Sequence, residues 1–509
     1  MAAGRGDVSV APRVSRTSAG RLGLGLLGAL PAGLAPRVDP RAVGVGIVHL
    51  GIGAFHRAHQ AVCTEDAIAA AGGDWGICGV TERSRAVVDQ LAPQDGLYTL
   101  VVRDGAGERL RVVGSVREVR WARADAERLL ERIAAPATRV VTLTVTEKGY
   151  HHDPATNRLR ADSPEIADDL ADGGTRTVLG QLVAGLNRRR EAHGAPVSVV
   201  CCDNLPHNGP VVAGLVREFA GRRGDERLLS WLEESVRFPS TMVDRITPAT
   251  TAADRTRVAD VLGVRDEGAV VTEPFSQWVI EDDFAAARPA WELGGATLTA
   301  DVRPYEYIKL RMLNGSHSTL AYLGILAGYE YAADAAGGDR PLGGLLRSLM
   351  RAEVAPTLDV PPGFDLHAYA EDVLVRFANP ALRHRLAQIC MDGSQKLPQR
   401  LLGTIRDRRR AGAEPVIAAL GVAAWMRFVS ARRSDGGREL VVEDPLADEI
   451  ADRLAGREAP EQVVDALLSL RQVFDAELAG DKVLRDLLVD HLRRLARDGA
   501  ERTIRGMAG

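Results

Sequence analysis

The segment YEYIKLRMLNGSHS, Tyr305 to Ser318, places a carboxylate, an amine, an amide and an imidazole in an otherwise apolar run. Burying an amide or an amine without a partner costs roughly 2–7 kcal/mol, so these groups require a reason to be there. At 100° per residue, Glu306, Lys309, Asn314 and His317 fall within an arc of about 140° on a helix and can point into one cleft. Asn314-Gly315 reads as a break between the polar groups. Such a set suits oxidation of a secondary alcohol, in which a base takes the hydroxyl proton while hydride leaves for a nicotinamide. A lysine is a competent base if burial and a neighbouring cation lower its pKa. Asparagine and histidine can hydrogen-bond the same oxygen as charge develops, and Glu306, one turn before the lysine, can pass the proton to solvent. A partly exposed helix end with wetted or capped polar residues fits the same spacing. Spacing alone leaves both open.

A second cluster lies near the start. The β-branched run VGVGIVHL leads into GIGAFHRAH, Gly51 to His59. Gly51 and Gly53 allow a tight turn and a close approach of backbone to a pyrophosphate, with Ala54, Phe55, His56 and Arg57 opening a helix whose free N–H groups favour an anion. His56 stands where the usual G-x-G-x-x-G has its third glycine, so the match is incomplete. A glycine turn between any strand and helix is the alternative; the position at the first strand–helix turn, with a second strand at the right distance, favours the nucleotide reading. That second strand, WGICGVT, ends at Thr81 and is followed by Glu82 and Arg83. An acid there can hold the ribose hydroxyl of NAD and an arginine the phosphate of NADP. Glu82 would repel a phosphate, which favours NAD; a solvated charge pair is the alternative.

The elements that must position these groups follow from the pattern. Apolar strands recur at Thr138 to Val145 and Pro196 to Cys202, with helices around Ala124 to Ala134 and Thr177 to Ala192. This alternation predicts a doubly wound, Rossmann-like parallel sheet covered on both faces. Beyond Pro304 long helices take over, such as Glu414 to Val429, Ala459 to Leu478 and Gly480 to Ala500. The expected organisation is a tail and apolar lead-in over 1–40, a dinucleotide-binding domain over 41–300 and a mainly helical substrate domain over 301–509. A chain of 509 residues is too long for one core.

Composition bounds the remaining classes. A net charge of −4 gives no basic excess for a nucleic-acid surface. Five cysteines, odd in number and irregular in spacing, suggest buried thiols in a reducing cytoplasm and no disulfide framework. No C-x-x-C or H-E-x-x-H occurs, so a dedicated zinc site has little support, and no metal is expected. The first twenty residues read as a disordered start. LGLGLLGALPAG after them reads as an apolar segment packed on the body, since it is interrupted and far shorter than the ~20 residues of a membrane span.

Five stretches together resemble the mannitol dehydrogenase family of polyol-specific long-chain dehydrogenases: GIGAFHRAHQA, LTVTEKGY, MVDRITP, EPFSQWVIEDDF and YEYIKLRMLNGSHS. The resemblance runs from about Leu24 to the C-terminus. It implies a metal-independent NAD(P) enzyme in which Lys309 is the general base and Asn314 and His317 polarise the reacting oxygen. Asn204, after a strand end in CCDN, and Asp244, in MVDRITP, map to substrate contacts, although either residue type commonly caps a helix or turn. DGSQKLPQR, Asp392 to Arg400, looks more like the fructuronate reductase (mannonate oxidoreductase) branch than the mannitol branch. A sugar-acid carboxylate would need cationic partners, and Lys396 and Arg400 are available. The expected substrate is therefore a sugar acid, with mannitol/fructose or another polyol as the alternative, and the expected state is a monomer or weak homo-oligomer. A nucleotide-binding sensor without activity would have lost Lys309, Asn314 or His317, and all three are present.

Overall fold

Five of the six residues of β1 (Val45–Leu50) are buried, and so are all six of β2 (Gly76–Thr81). Strands buried on both faces belong in the middle of a parallel sheet. The computed structural model, which describes residues 20–153, 156–338 and 340–507, places them there. With β3 (Val116–Trp121), β4 (Val140–Leu143), β5 (Val197–Cys201) and β6 (Val236–Arg237) they form one sheet in the order β6-β5-β4-β1-β2-β3, parallel throughout. This is the Rossmann order, with its topological switch between β1 and β4.

Alternate strand residues serve two cores. Val48, Leu50, Val141 and Leu143 face one, and Ile47, Ile77, Val140 and Val200 face the other. Each such side chain contributes about 1.5–3 kcal/mol by leaving water, so neither face accommodates an unpaired charge. The chain leaves β1 through Gly51 into α1 (Ala54–Ala58) and, after a break at His59, α2 (Gln60–Ala71). Helices α3 (Ala122–Ala134) and α4 (Val178–Ala192) pack against each other beside β4 and β5. A smaller sheet pairs β7 (Thr241–Asp244) antiparallel with β8 (Gln277–Glu281).

The apolar run near the start lies against the same unit. Leu22 is fully buried, and Leu24, Leu27, Leu30 and Leu34 pack on Leu97, Val101, Val112 and Leu262. Of the disordered start expected before it, residues 1–19 lie outside the described residues, and the carbonyl of Gly20, its last residue, accepts from Arg265 N–H.

The chain divides into two compact units between Val302 and Arg303. The second is largely helical. Its first helix runs without interruption from α5 (Arg303–Ile308) through a π-helical segment (Lys309–Gly315) into α6 (Ser316–Leu326). Asn314-Gly315 therefore does not break it, against expectation. Gly315 is required for a different reason: a Cβ there would sit 2.6 Å from the Arg400 carbonyl oxygen, which lies in a second π-segment, Pro398–Leu402. The two segments pack backbone against backbone, and Arg311 braces them by donating to the Thr357 carbonyl and the Asp407 carboxylate.

At the centre of this unit α7 (Val416–Ala431) packs against α6 and α8 (Lys482–Asp498). Pro415 offers α7 no capping side chain, and the buried Glu353 carboxylate accepts from the N–H groups of Ile417 and Ala418 in its place. The single helix expected from Ala459 to Leu478 is two, Pro460–Leu468 and Ala476–Ala479. Between them Leu470 and Phe474 turn into the core, and Asp475 caps the second piece by accepting from Leu478 N–H. Core burial outweighs continued helix there.

Gly315→Ala should destabilise the protein by ~1–3 kcal/mol through overpacking of the two π-segments. Urea unfolding of the full chain would measure it, and an unchanged midpoint would mean that the segments do not depend on that close approach.

Candidate active site

Two groups of residues carry the chemistry, one in each unit. In the first unit the turn after β1 is set by sterics. Gly51 has φ +100°, and a Cβ on it would meet the Thr144 carbonyl oxygen at 2.1 Å. Its N–H and that of Ile52 both donate to the Val80 carbonyl of β2. Thr144 Oγ1 donates to the Gly51 carbonyl at 2.9 Å and accepts from His49 Nε2 at 2.9 Å, while Thr142 Oγ1 lies 2.7 Å from His49 Nδ1. Burial holds the His49 imidazole far below its usual pKa, at about 3, so it is neutral and serves the turn as a hydrogen-bond relay. His56, buried in α1, stacks on it with ring centroids 3.3 Å apart.

Gly53 precedes α1 in extended conformation, leaving the first-turn N–H groups of Ala54, Phe55 and His56 without intrahelical partners. Arg57 does not present its guanidinium there. It is buried, donating to the Gly53 and Gly268 carbonyls and lying over the Tyr98 ring. Sequence reasoning grouped Arg57 with the cofactor; the structure gives it an internal role. Arg245 of MVDRITP is similar, donating to the carbonyls of Ala58 and Glu273, while Ile246 N–H donates to Glu273 Oε1 at 2.7 Å. Three of the stretches that carried the resemblance thus interlock as scaffold.

Glu82, just past β2, accepts from the Gln181 amide at 2.8 Å through Oε2, and its Oε1 is buried with no hydrogen-bond partner. Burial pushes its carboxyl above the ordinary carboxylate range, opposed by the Gln181 bond and by Arg123. Arg83 is exposed. A glycine cradle that a Cβ would fill and a buried carboxylate oxygen without a donor both fit a dinucleotide laid across the crevice, with its ribose hydroxyl at Glu82. Asn204 is exposed beyond β5, and Asp244 is the buried last residue of β7.

In the second unit, Glu306, Lys309, Asn314 and His317 are all half-buried. The wider i→i+5 turn of the π-segment replaces the 100° geometry between Lys309 and Gly315. On an α-helix, residues five apart diverge by about 140°; the π-turn brings Lys309 and Asn314 nearer to one face. The His317 ring stacks on Phe377 with centroids 4.9 Å apart and meets His384 edge-on at 5.0 Å. Burial first, then the neighbouring His384 and the cations of Arg400, Arg376 and Lys396, holds the His317 imidazole well below its usual pKa, so it is neutral and keeps one N–H to donate. Arg400 donates to Ser318 Oγ at 3.1 Å, and burial lowers its pKa to about 10. Lys396 Nζ donates to the Met391 and Ile389 carbonyls, and burial lowers its pKa as well. His384 and Phe377 carry no such reading in the sequence; the run RHR, Arg383 to Arg385, was the available signal for the first. Among the described residues no group of three His, Cys, Asp or Glu side chains is placed to hold a metal ion.

Comparison with known proteins agrees with both halves. Residues 45–293 match the mannitol dehydrogenase Rossmann domain and residues 301–496 the mannitol dehydrogenase C-terminal domain. The chain belongs to the mannitol dehydrogenase family. It is an NAD(P)-dependent oxidoreductase acting on a CH–OH group. It is 46% identical to the Escherichia coli K12 oxidoreductase YeiQ, covering 87% of this chain and 91% of that one. It is 44% identical to the D-mannonate oxidoreductase of the same organism, covering 85% and 89%. The structure of Pseudomonas fluorescens mannitol 2-dehydrogenase with NAD and D-mannitol aligns with a TM-score of 0.81 at 36% identity, covering 96% of this chain and 99% of that one.

The raised pKa of Glu82 has a sign that can be measured. The folded state holds its proton more tightly than the unfolded chain, so stability falls as pH rises from the usual value, 4.5, through the folded one. Glu82→Gln should therefore raise the apo melting temperature at neutral pH while weakening NAD binding and its discrimination against NADP. In the wild type, NAD affinity should fall on acidification at a pH above that of an ordinary carboxylate. Titrations of both cofactors across pH would check this, and identical profiles for wild type and variant would remove Glu82 from the site.

Proposed function

We propose that this enzyme interconverts a secondary alcohol and a ketone on a sugar acid of the D-mannonate/D-fructuronate kind, using NAD and no metal ion, with Lys309 as general base. Arg400 carries the substrate class. Its half-buried guanidinium donates to Ser318 Oγ, and among the described residues no carboxylate lies within ion-pair distance of it. A charge desolvated without a counter-charge is costly, and a substrate carboxylate offsets that cost with a matching bidentate geometry. The cations around His317 reinforce an anionic ligand.

Nicotinamide, when bound, supplies the hydride acceptor or donor for the carbinol carbon. Gly51, Gly53, Ala54 and Phe55 offer backbone to the pyrophosphate, and Glu82 takes the ribose hydroxyl. Lys309 removes the hydroxyl proton. Asn314 and neutral His317 donate to the same oxygen, stabilising charge as it develops without protonating it. Glu306 moves the proton on towards water. Asn204 and Asp244 hold substrate hydroxyls.

Two observations favour a neutral polyol instead. Lys396 already donates to two backbone carbonyls, so its charge is partly satisfied, and the Pseudomonas fluorescens relative was captured with D-mannitol. Initial rates with fructuronate, tagaturonate, fructose and mannitol separate the two readings.

Lys309→Ala should lower turnover by roughly 10²–10⁴-fold, leave NAD binding unchanged, abolish the rise of oxidation rate with pH and respond partly to an added small primary amine. Near-normal turnover with the same pH dependence would reduce the polar face to a wetted helix.

Arg400→Met should penalise fructuronate over fructose by ~1.5–3 kcal/mol, or roughly ten- to hundredfold in kcat/KM. Equal losses on both substrates would favour the polyol reading.

A further inference from the structure

A single carboxylate gathers the strand ends on one side of the switch point. Asp203, two residues past β5, accepts from Val145 N–H at 2.8 Å and Thr146 N–H at 3.0 Å, and from the Tyr150 hydroxyl at 2.7 Å. Tyr150 is fully buried, with its hydroxyl 3.2 Å from Cys201 Sγ. The segment so held is strained. Thr146 has φ +68° and ψ 156°, a region that glycine occupies freely and a β-branched residue does not. Nothing in the Thr146 side chain explains that backbone, whereas two consecutive N–H groups converging on one carboxylate do.

The strained segment abuts the nucleotide turn. Thr144 carries the hydroxyl that donates to the Gly51 carbonyl, and its own N–H donates to the Leu50 carbonyl at 2.9 Å. Asp203 thus fixes Val145 and Thr146 directly and the Gly51 turn at one remove. A dinucleotide crosses this crevice from one side of β1 to the other. Glu82, beyond β2, marks the adenosine side. The loop after β4 and Asp203 after β5 lie on the opposite side of β1 in the sheet order, where the nicotinamide half must go.

We infer that Asp203 is a positioning residue for the nicotinamide half of the cofactor: its carboxylate imposes the Thr146 backbone and, through Thr144, holds the edge of the turn against which that ring is set. The inference rests on the nicotinamide dependence of the family and is independent of which alcohol is oxidised.

The experiment separates the two halves of the cofactor. Dissociation constants of NADH and of ADP-ribose, which lacks only the nicotinamide, are measured by calorimetry on the full-chain wild type, Asp203→Asn and Tyr150→Phe, together with kcat and melting temperature. An asparagine at 203 can accept on one side only and turns an N–H₂ towards the other backbone N–H. Asp203→Asn should weaken NADH on the order of tenfold, with ADP-ribose within about twofold of wild type, and should lower kcat. Tyr150→Phe, which removes one of three donors and leaves the carboxylate, should move NADH in the same direction by less, and it decides the matter by the same criterion if Asp203→Asn does not fold. Equal weakening of NADH and ADP-ribose would make Asp203 a general structural residue and overturn the inference. Unchanged NADH binding in a folded Asp203→Asn would overturn it too.

Discussion

The backbone of β1 and the backbone just past β4 come so close that a methyl group between them would sit 2.1 Å from the Thr144 carbonyl oxygen. Much of the first unit is arranged around that approach. It requires glycine at 51, and it brings the Thr144 hydroxyl onto the Gly51 carbonyl. It also explains why His49 sits buried in the middle of an apolar strand: the hydroxyls of Thr142 and Thr144 flank its two ring nitrogens. A polar residue in a fully buried strand is costly unless each polar atom is partnered, and here partnership and site geometry are one arrangement.

Buried charge divides the molecule's polar residues by purpose. Arg57 and Glu353 are desolvated, and each is matched to backbone carbonyls or N–H groups of a neighbouring segment. These are joints. Glu82 and Arg400 are desolvated as well, yet one carboxylate oxygen of Glu82 has no donor and Arg400 has a single serine hydroxyl. Incomplete pairing of that kind destabilises the free protein and is relieved by a ligand of complementary charge or hydrogen-bonding capacity.

In the second unit the helix geometry itself is altered where chemistry is proposed. The π-segment Lys309–Gly315 sits against the π-segment Pro398–Leu402, and the first carries Lys309 and Asn314 while the second carries Arg400. An α-helix would spread Lys309 and Asn314 apart; the wider turn draws them together and places Gly315 where another backbone can touch it. Local helix regularity is given up for the alignment of polar groups, and the bracing by Arg311 holds the irregular turns in place.

The doubly wound sheet, the helical second half and the glycine turn were legible in the sequence, because each depends on local periodicity or on spacing within one segment. Whatever depended on partners distant in sequence was not. Arg57 reads as an anion ligand until the Gly268 carbonyl and the Tyr98 ring appear beside it. Asn314-Gly315 reads as a helix break until the Arg400 carbonyl supplies the reason for glycine. The helix expected through Leu470 and Phe474 yields to burial of both side chains. Asp203 lay unremarked beside Asn204, since its meaning resides in N–H groups 57 and 58 residues away. The sequence by itself determined the alternating strand–helix half, the glycine turn and the helical half that follows. Tertiary packing decided where each polar group finds its partner, because hydrogen bonds and steric contacts are set by distance in space and not by distance along the chain.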